Sequence, residues 1–187
     1  MCNYTGAFKN VHPPTGYRQH AQCPKCSALE RHRIQYLVVN QLLENIETTN
    51  LAMLHFAPEA LFRGYFANKF GRYETADLYM PEVDHQVDLQ NLPFADQSYD
   101  FIFASHVLEH ISDDIKAISE ISRILKPNGI AILPVPLVAE TTIEYPEPNP
   151  YEESHVRAPG LDYFDRLKPY FRKIDRISSV LFPSQYE

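Results

Sequence analysis

The sequence has no apolar run of the roughly 18 residues that a membrane span requires. Nor does it open with the apolar stretch of a secretory signal. Basic residues are not in excess: 17 Lys and Arg stand against 24 Asp and Glu, a formal net charge of −7. That balance argues against a general affinity for nucleic acid backbone, which is met by basic patches. Cysteine is scarce and odd in number, three in 187 residues. This fits a reducing compartment better than a disulfide scaffold, with the cytoplasm as default. Internal repeats and low-complexity tracts are absent. What is present suffices for one domain with a small appendage, since 44% hydrophobic residues can supply a core.

Residues 1–27 carry the cysteines, Gly6, Gly16 and a Pro13-Pro14 pair without sustained periodicity, the pattern of a small irregular, metal-clipped segment. A helix is expected over about 28–46, where Leu29, Tyr36, Val39, Leu42, Leu43 and Ile46 recur at three- and four-residue steps. From residue 51 strands and helices alternate. Strands are expected at Leu51–Phe56, Arg72–Ala76, His85–Asp88, Tyr99–Ala104 and Ile130–Pro134. Between them lie a helix at Ala60–Phe70, stopped by Gly71, and one capped by Ser112-Asp113-Asp114. Ile115, Ile118, Ile121 and Leu125 mark the buried stripe of the latter, and Lys126-Pro127-Asn128-Gly129 ends it. Residues 136–152 read as a long loop, a helix is expected near 160–170, and a strand at 172–180. The alternation predicts a doubly wound, mainly parallel α/β sheet over residues 28–187.

In such a sheet the ligand sits at the C-terminal ends of the strands. The first strand opens that crevice through LHFAPEALF, a strand, tight turn and helix with none of the usual glycines. Asp77-Leu78 ends the second strand about 20 residues later, the spacing at which a carboxylate grips a ribose diol. Asp88-Leu89 follows the third strand, placed to flank an adenine ring, and Ser105-His106 follows the fourth. Polar residues at a strand end are ordinary singly; three successive ends favour a ligand site. His106 is best placed to face a substrate, whereas Glu109 and His110 organise the next turn. His155, Arg157, Asp162 and Tyr163 cluster after the long loop, and an arginine there suits a carboxylate or phosphate. Arg31, His32 and Arg33 read either as a solvated helix face or as part of the site mouth. Cys23-x-x-Cys26 has the spacing of a zinc knuckle, with Cys2 as third ligand and His12 or His20 as a possible fourth. Three free thiols without metal is the competing reading.

Asp88-Leu89-Gln90-Asn91-Leu92-Pro93-Phe94-Ala95-Asp96-Gln97-Ser98-Tyr99-Asp100 resembles the D-x-x-x-L-P-F-x-D-x-S-F-D segment of class I S-adenosylmethionine-dependent methyltransferases. So do His106-Val107-Leu108-Glu109-His110 and Ile124-Leu125-Lys126-Pro127-Asn128-Gly129, over roughly residues 50–135. One bacterial subgroup resembles the chain further: in CPxCGSLERHR at Cys23–Arg33, LHIAPE at Leu54–Glu59, and DHVRxYGxDYxDRL at Ser154–Leu167.

The resemblance implies a Rossmann-like methyltransferase fold, S-adenosylmethionine as cofactor, a structural zinc, and a small-molecule or saccharide-like acceptor. Neither an Asn/Asp-Pro-Pro-aromatic motif nor a Pro-Cys nucleophile follows the fourth strand, which weakens nucleic-acid acceptors. The family's D-x-G-x-G-x-G loop aligns on His55, Ala57, Glu59 and Leu61, so every glycine is replaced. Ala57 concedes only a methyl group, and Glu59 is expected to turn its carboxylate toward the cofactor's ammonium. Candidate cofactor residues are therefore His55, Ala57, Glu59, Asp77, Leu78, Asp88, Leu89 and Ser105. Candidate catalytic residues are His106, His155, Arg157 and Tyr163, with His106 or His155 as general base. Candidate metal ligands are Cys2, Cys23 and Cys26. Aligned on the subgroup's CPxCGYxGxF, Cys2 expects a partner cysteine just upstream of Met1. Such folds close with an antiparallel seventh strand; only Leu181–Glu187 remain for it, so a truncated or rearranged sheet edge is expected. A non-catalytic binding module with a degenerate loop is the alternative function, and self-association is left open.

Overall fold

The structure is a computed structural model that describes residues 2–13 and 16–178. It divides into two units, Met1–Glu47 with Asp175–Glu187, and Thr48–Ile174. The boundary falls after Glu47 rather than after Ser27, because the first helix is tied to the cysteine segment. There β1 (Lys9–Val11) and β2 (Arg18–Gln22) form an antiparallel hairpin, followed by α1 (Glu30–Leu43). Arg18 Nη1 meets Glu30 Oε1 at 2.6 Å, and Arg33 donates to Ala21 O at 2.9 Å while lying over the Phe8 ring. His32 and Arg33 are buried, so this stretch is not a solvated face. Val39 and Leu43 are buried as expected, but Ile46 lies beyond the helix and is exposed.

The second unit holds β3 (Ala52–Phe56), α2 (Ala60–Ala67), β4 (Arg72–Asp77), β5 (His85–Gln86), β6 (Tyr99–Ala104), α3 (Asp114–Ile124) and β7 (Leu125–Ile132). The strands form one parallel sheet in the order β5-β4-β3-β6-β7. Both central strands are almost wholly buried because helices cover both faces. On one face Leu54, Phe56, Ile102 and Ala104 pack with Ala117, Ile118, Ile121 and Ile124 of α3. On the other, the rings of Phe62 and Phe66 of α2 pack tilted against Phe103, each with its centroid 5.2 Å away. Each buried Leu, Ile or Phe side chain among these stabilises the unit by about 1.5–3 kcal/mol.

Local chemistry sets the boundaries. Asp113 caps α3 by accepting from Lys116 N at 3.0 Å; Ile115, expected in the buried stripe, points outward. Gly71 lets the chain enter β4 because a Cβ there would lie 1.8 Å from Thr49 O. Arg123 of α3 gathers Leu92 O, Phe94 O, Asp96 and Glu120. The LPF…SYD segment that carries the family resemblance is therefore a loop stapled to α3, which fixes the entry to β6.

Residues 136–152 are not one long loop. β8 (Ile143–Asn149) pairs antiparallel with β9 (His155–Ala158), with Glu144 opposite Arg157. Pro146 and Pro148 hide β8 from a sequence reading, yet at alternate positions both ring nitrogens face the same side, which an edge strand tolerates. The helix expected near 160–170 is a 3₁₀ turn, Leu161–Leu167. Residues 172–178 form no strand. The rest of that expected strand, and Leu181–Glu187, lie outside the described residues. Among the described residues β7 is one edge of the sheet and β5 the other.

Candidate functional site

The strand registers align the crevice. Phe56 pairs with Ala76 on one side and Ala104 on the other, so Ala57, Asp77 and Ser105 leave the sheet abreast. Ala57 has φ 45°, the left-handed region that costs an L-residue roughly 1–2 kcal/mol, and its N–H is held by Ala76 O at 2.9 Å. The loop thus keeps at Ala57 a backbone conformation that favours glycine, without a glycine. His106 repeats the pattern after β6, with φ 54° and its N–H on Pro134 O at 3.0 Å. Strain of this kind persists where surrounding structure imposes it, and it gathers at functional sites.

Asp77 Oδ1 accepts from the backbone N–H of Tyr79 and of Met80, each at 2.7 Å. These bonds fix the carboxylate and leave its second oxygen for another donor. Asp88 is held similarly by Gln90, through the backbone at 2.8 Å and the side-chain amide at 3.1 Å. Leu78 is exposed beside Asp77, whereas Leu89 belongs to the core and Ser105 is buried. Glu59 stands half-buried at the N-cap of α2. Arg63 anchors the same loop through Pro58 O at 3.2 Å and Glu82 O at 2.8 Å.

His55 is placed differently from the expectation. Its ring is fully enclosed, edge-on to Phe66 and Phe103, with Nδ1 2.9 Å from the Tyr73 hydroxyl. Burial drives its pKa down to about 3, against the opposing pull of Glu59. It is a neutral core histidine, and its side chain does not reach a ligand.

His106 Nδ1 lies 3.1 Å from Glu109 Oε1, and Glu109 is fully buried. His110 packs edge-on against His155, ring centroids 4.7 Å apart. Sequence reasoning left Glu109 and His110 as organisers of a turn; the fold brings both beside His155, a neighbourhood that no spacing along the chain announces.

Two expected catalytic residues are structural. Arg157, only 2% exposed, donates to Leu108 O at 2.8 Å, Ile111 O at 2.6 Å and Ser112 O at 3.1 Å, and its Nε meets Glu144 at 3.1 Å. All three of its nitrogens bond within the fold, and its burial closes it to a substrate anion. Tyr163 is buried and donates to Asp114 Oδ2 at 2.7 Å; burial first, then the Asp114 charge, raises its pKa. Arg166 completes the clasp, bonding Asp114 and Glu144. Asp162 instead receives Thr142 N at 2.7 Å, so the expected four-residue cluster is dispersed.

In the other unit Cys2 Sγ lies 3.6 Å from Cys23 Sγ and 3.3 Å from Cys26 Sγ. Burial raises the pKa of Cys23, but N–H groups of Cys26 and Lys25 and the neighbouring thiols outweigh it and bring it to about 7. Three sulfurs so placed fit three positions of a tetrahedral zinc. His12 and His20 do not join them: His12 stacks on Tyr17, and His20 Nδ1 faces Phe8 O at 3.3 Å. A depression of about 500 Å³ lies elsewhere, lined by Arg63, Tyr73, Thr75 and Asp84. Its polar groups are largely paired within the protein, as Thr75 is with Asp84 and Arg63 with Pro58 O and Glu82 O.

Residues 65–133 match the family model described as "Methyltransferase domain". Over those residues the chain is similar to methyltransferase domains. A demethylmenaquinone methyltransferase of Staphylococcus epidermidis is 36% identical over 62 residues, 33% of this chain and 25% of that protein. A dimethylglycine N-methyltransferase of Parasynechococcus marenigrum is 32% identical over 56 residues, 30% and 20% respectively. The chain thus spans a quarter or less of the length of these relatives. Among solved structures the methyltransferase-like fold is similar to the PH0226 protein from Pyrococcus horikoshii, with a TM-score of 0.55 and 17% identity, over 80% of this chain and 86% of that one. The YcgJ protein from Bacillus subtilis gives 0.51 and 19%, over 73% and 66%.

Proposed function

We propose that this chain is an S-adenosylmethionine-dependent methyltransferase acting on a small-molecule or saccharide-like acceptor. The observation that carries the reading is Ala57: its left-handed backbone, abreast of Asp77 and Ser105, preserves the glycine-type cradle in a glycine-free loop. The cofactor would supply a methyl group on a good leaving group. Asp77, pinned by two backbone N–H groups, presents its remaining oxygen to a ribose diol. Leu78 and Asp88 flank the adenine end, and Glu59 faces the ammonium of the methionine end. His106 accepts the acceptor's proton at Nε2, oriented through Nδ1 by the buried carboxylate of Glu109. The remaining task is to hold donor and acceptor in line. In the N-terminal unit, Cys2, Cys23 and Cys26 hold a structural zinc.

Calorimetric titration with S-adenosylhomocysteine tests this. Saturable one-to-one binding is expected, weakened about 10- to 100-fold by Asp77→Ala, the loss of one or two charge-assisted hydrogen bonds. Absence of heat at millimolar ligand would favour the non-catalytic binding module instead.

A further inference from the structure

β9 carries His155 and Arg157 two residues apart, hence on one face of the strand. Arg157 clamps the turn at residues 108–112 through three backbone carbonyls. That clamp delivers His155 to the same turn's Glu109 and His110. One ligand-capable atom from each of the three lies within 4.8 Å of the others. One buried atom in this group has no hydrogen-bond partner among the described residues: Glu109 Oε2, on a fully buried residue. Leaving a buried carboxylate oxygen unsatisfied is costly, and a native fold seldom tolerates it without an ion or water to meet it. The surroundings already have the form of an outer shell. Glu109 Oε1 is held by His106 Nδ1 at 3.1 Å, and Glu152, itself fixed by the Tyr145 hydroxyl at 2.9 Å, lies 3.6 Å from His155 Nδ1.

We infer that Glu109, His110 and His155 form a divalent transition-metal site, of the zinc class, at the C-terminal end of β6. Two imidazoles and one carboxylate are the ligand set of an open site, in which a fourth position is left to an exchangeable oxygen. Imidazole donors select zinc and its neighbours over magnesium. Ligand atoms around tetrahedral zinc are about 3.4 Å apart, given bond lengths of roughly 2.1 Å. The group therefore closes by small side-chain rotations, and His110, exposed on the turn, has room to make them. An oxygen at the open position would sit next to His106, so the site favours an acceptor bearing a hydroxyl or carboxylate. That last step rests on the methyltransferase reading; the metal site does not.

The test is zinc stoichiometry and affinity of the full chain, freed of metal with a chelator and titrated with zinc chloride, beside His110→Ala and His155→Ala. The cysteine cluster is a separate zinc binder, so the wild type is expected to take up one equivalent more than either variant. Outer-shell losses weaken metal sites 10- to 100-fold, so loss of a direct ligand should weaken this one at least about 100-fold. His110→Ala removes an exposed side chain and should leave the circular dichroism spectrum and melting temperature of the metal-free protein unchanged. Equal zinc uptake by the wild type and a folded His110→Ala variant overturns the proposal, as does a preference for magnesium. Titration of the metal-free protein with S-adenosylhomocysteine, run in parallel, reports on the cofactor site independently.

Discussion

Two buried basic side chains, His55 and Arg157, show opposite solutions to the same problem. His55 lies on the α2 face among aromatic rings with one hydroxyl partner, and it stays neutral. Arg157 lies under the β8–β9 hairpin, and three carbonyls and two carboxylates surround it. A buried polar group is neutralised where partners are few and retained as an ion where they are many. The apolar face is thus built by burial alone, and the hairpin is held by a polar clasp.

Breaking the clasp should have the largest effect. Arg157→Met leaves the carbonyls of the 108–112 turn without their donor and Asp114 and Glu144 to Arg166 alone, and it should cost about 2–4 kcal/mol in urea denaturation. A loss below about 1 kcal/mol would mean that Arg166 alone suffices to hold Asp114 and Glu144.

The neutral side of the comparison predicts a pH effect of smaller size. In the unfolded chain an imidazole protonates near 6.5, while the folded His55 resists until about 3. Between these values the unfolded state binds the extra proton, so stability falls as pH falls. From pH 6.5 to 5.0 the wild type should lose roughly 1.5–2 kcal/mol more than His55→Gln. Equal pH slopes in the two proteins would show that His55 is protonated in the fold.

The same contrast explains what the sequence disclosed. Tyr99–Ala104 is a strand with the expected bounds, because six bulky residues between turns admit few alternatives. The strand-end positions of Asp77 and Ser105 followed from the alternation of elements, and the registers put them abreast, whereas Asp88 lies two residues beyond the end of β5. The duties of His55, Arg157 and Tyr163 did not follow, because each is decided by partners distant in sequence. Tyr163 and its acceptor Asp114 are 49 positions apart. β8 was obscured by its prolines, and with it the route by which His155 reaches Glu109 and His110.

Whether the glycine-free loop holds a cofactor is tested most directly by amide chemical shifts in the ¹⁵N-labelled full chain during titration with S-adenosylhomocysteine. Saturable shifts should concentrate at Ala57, Glu59, Asp77 to Tyr79 and Ser105-His106, the ends of three adjacent strands. No shifts at millimolar ligand, or shifts confined to the depression around Arg63, Tyr73 and Asp84, would contradict the assignment of the site.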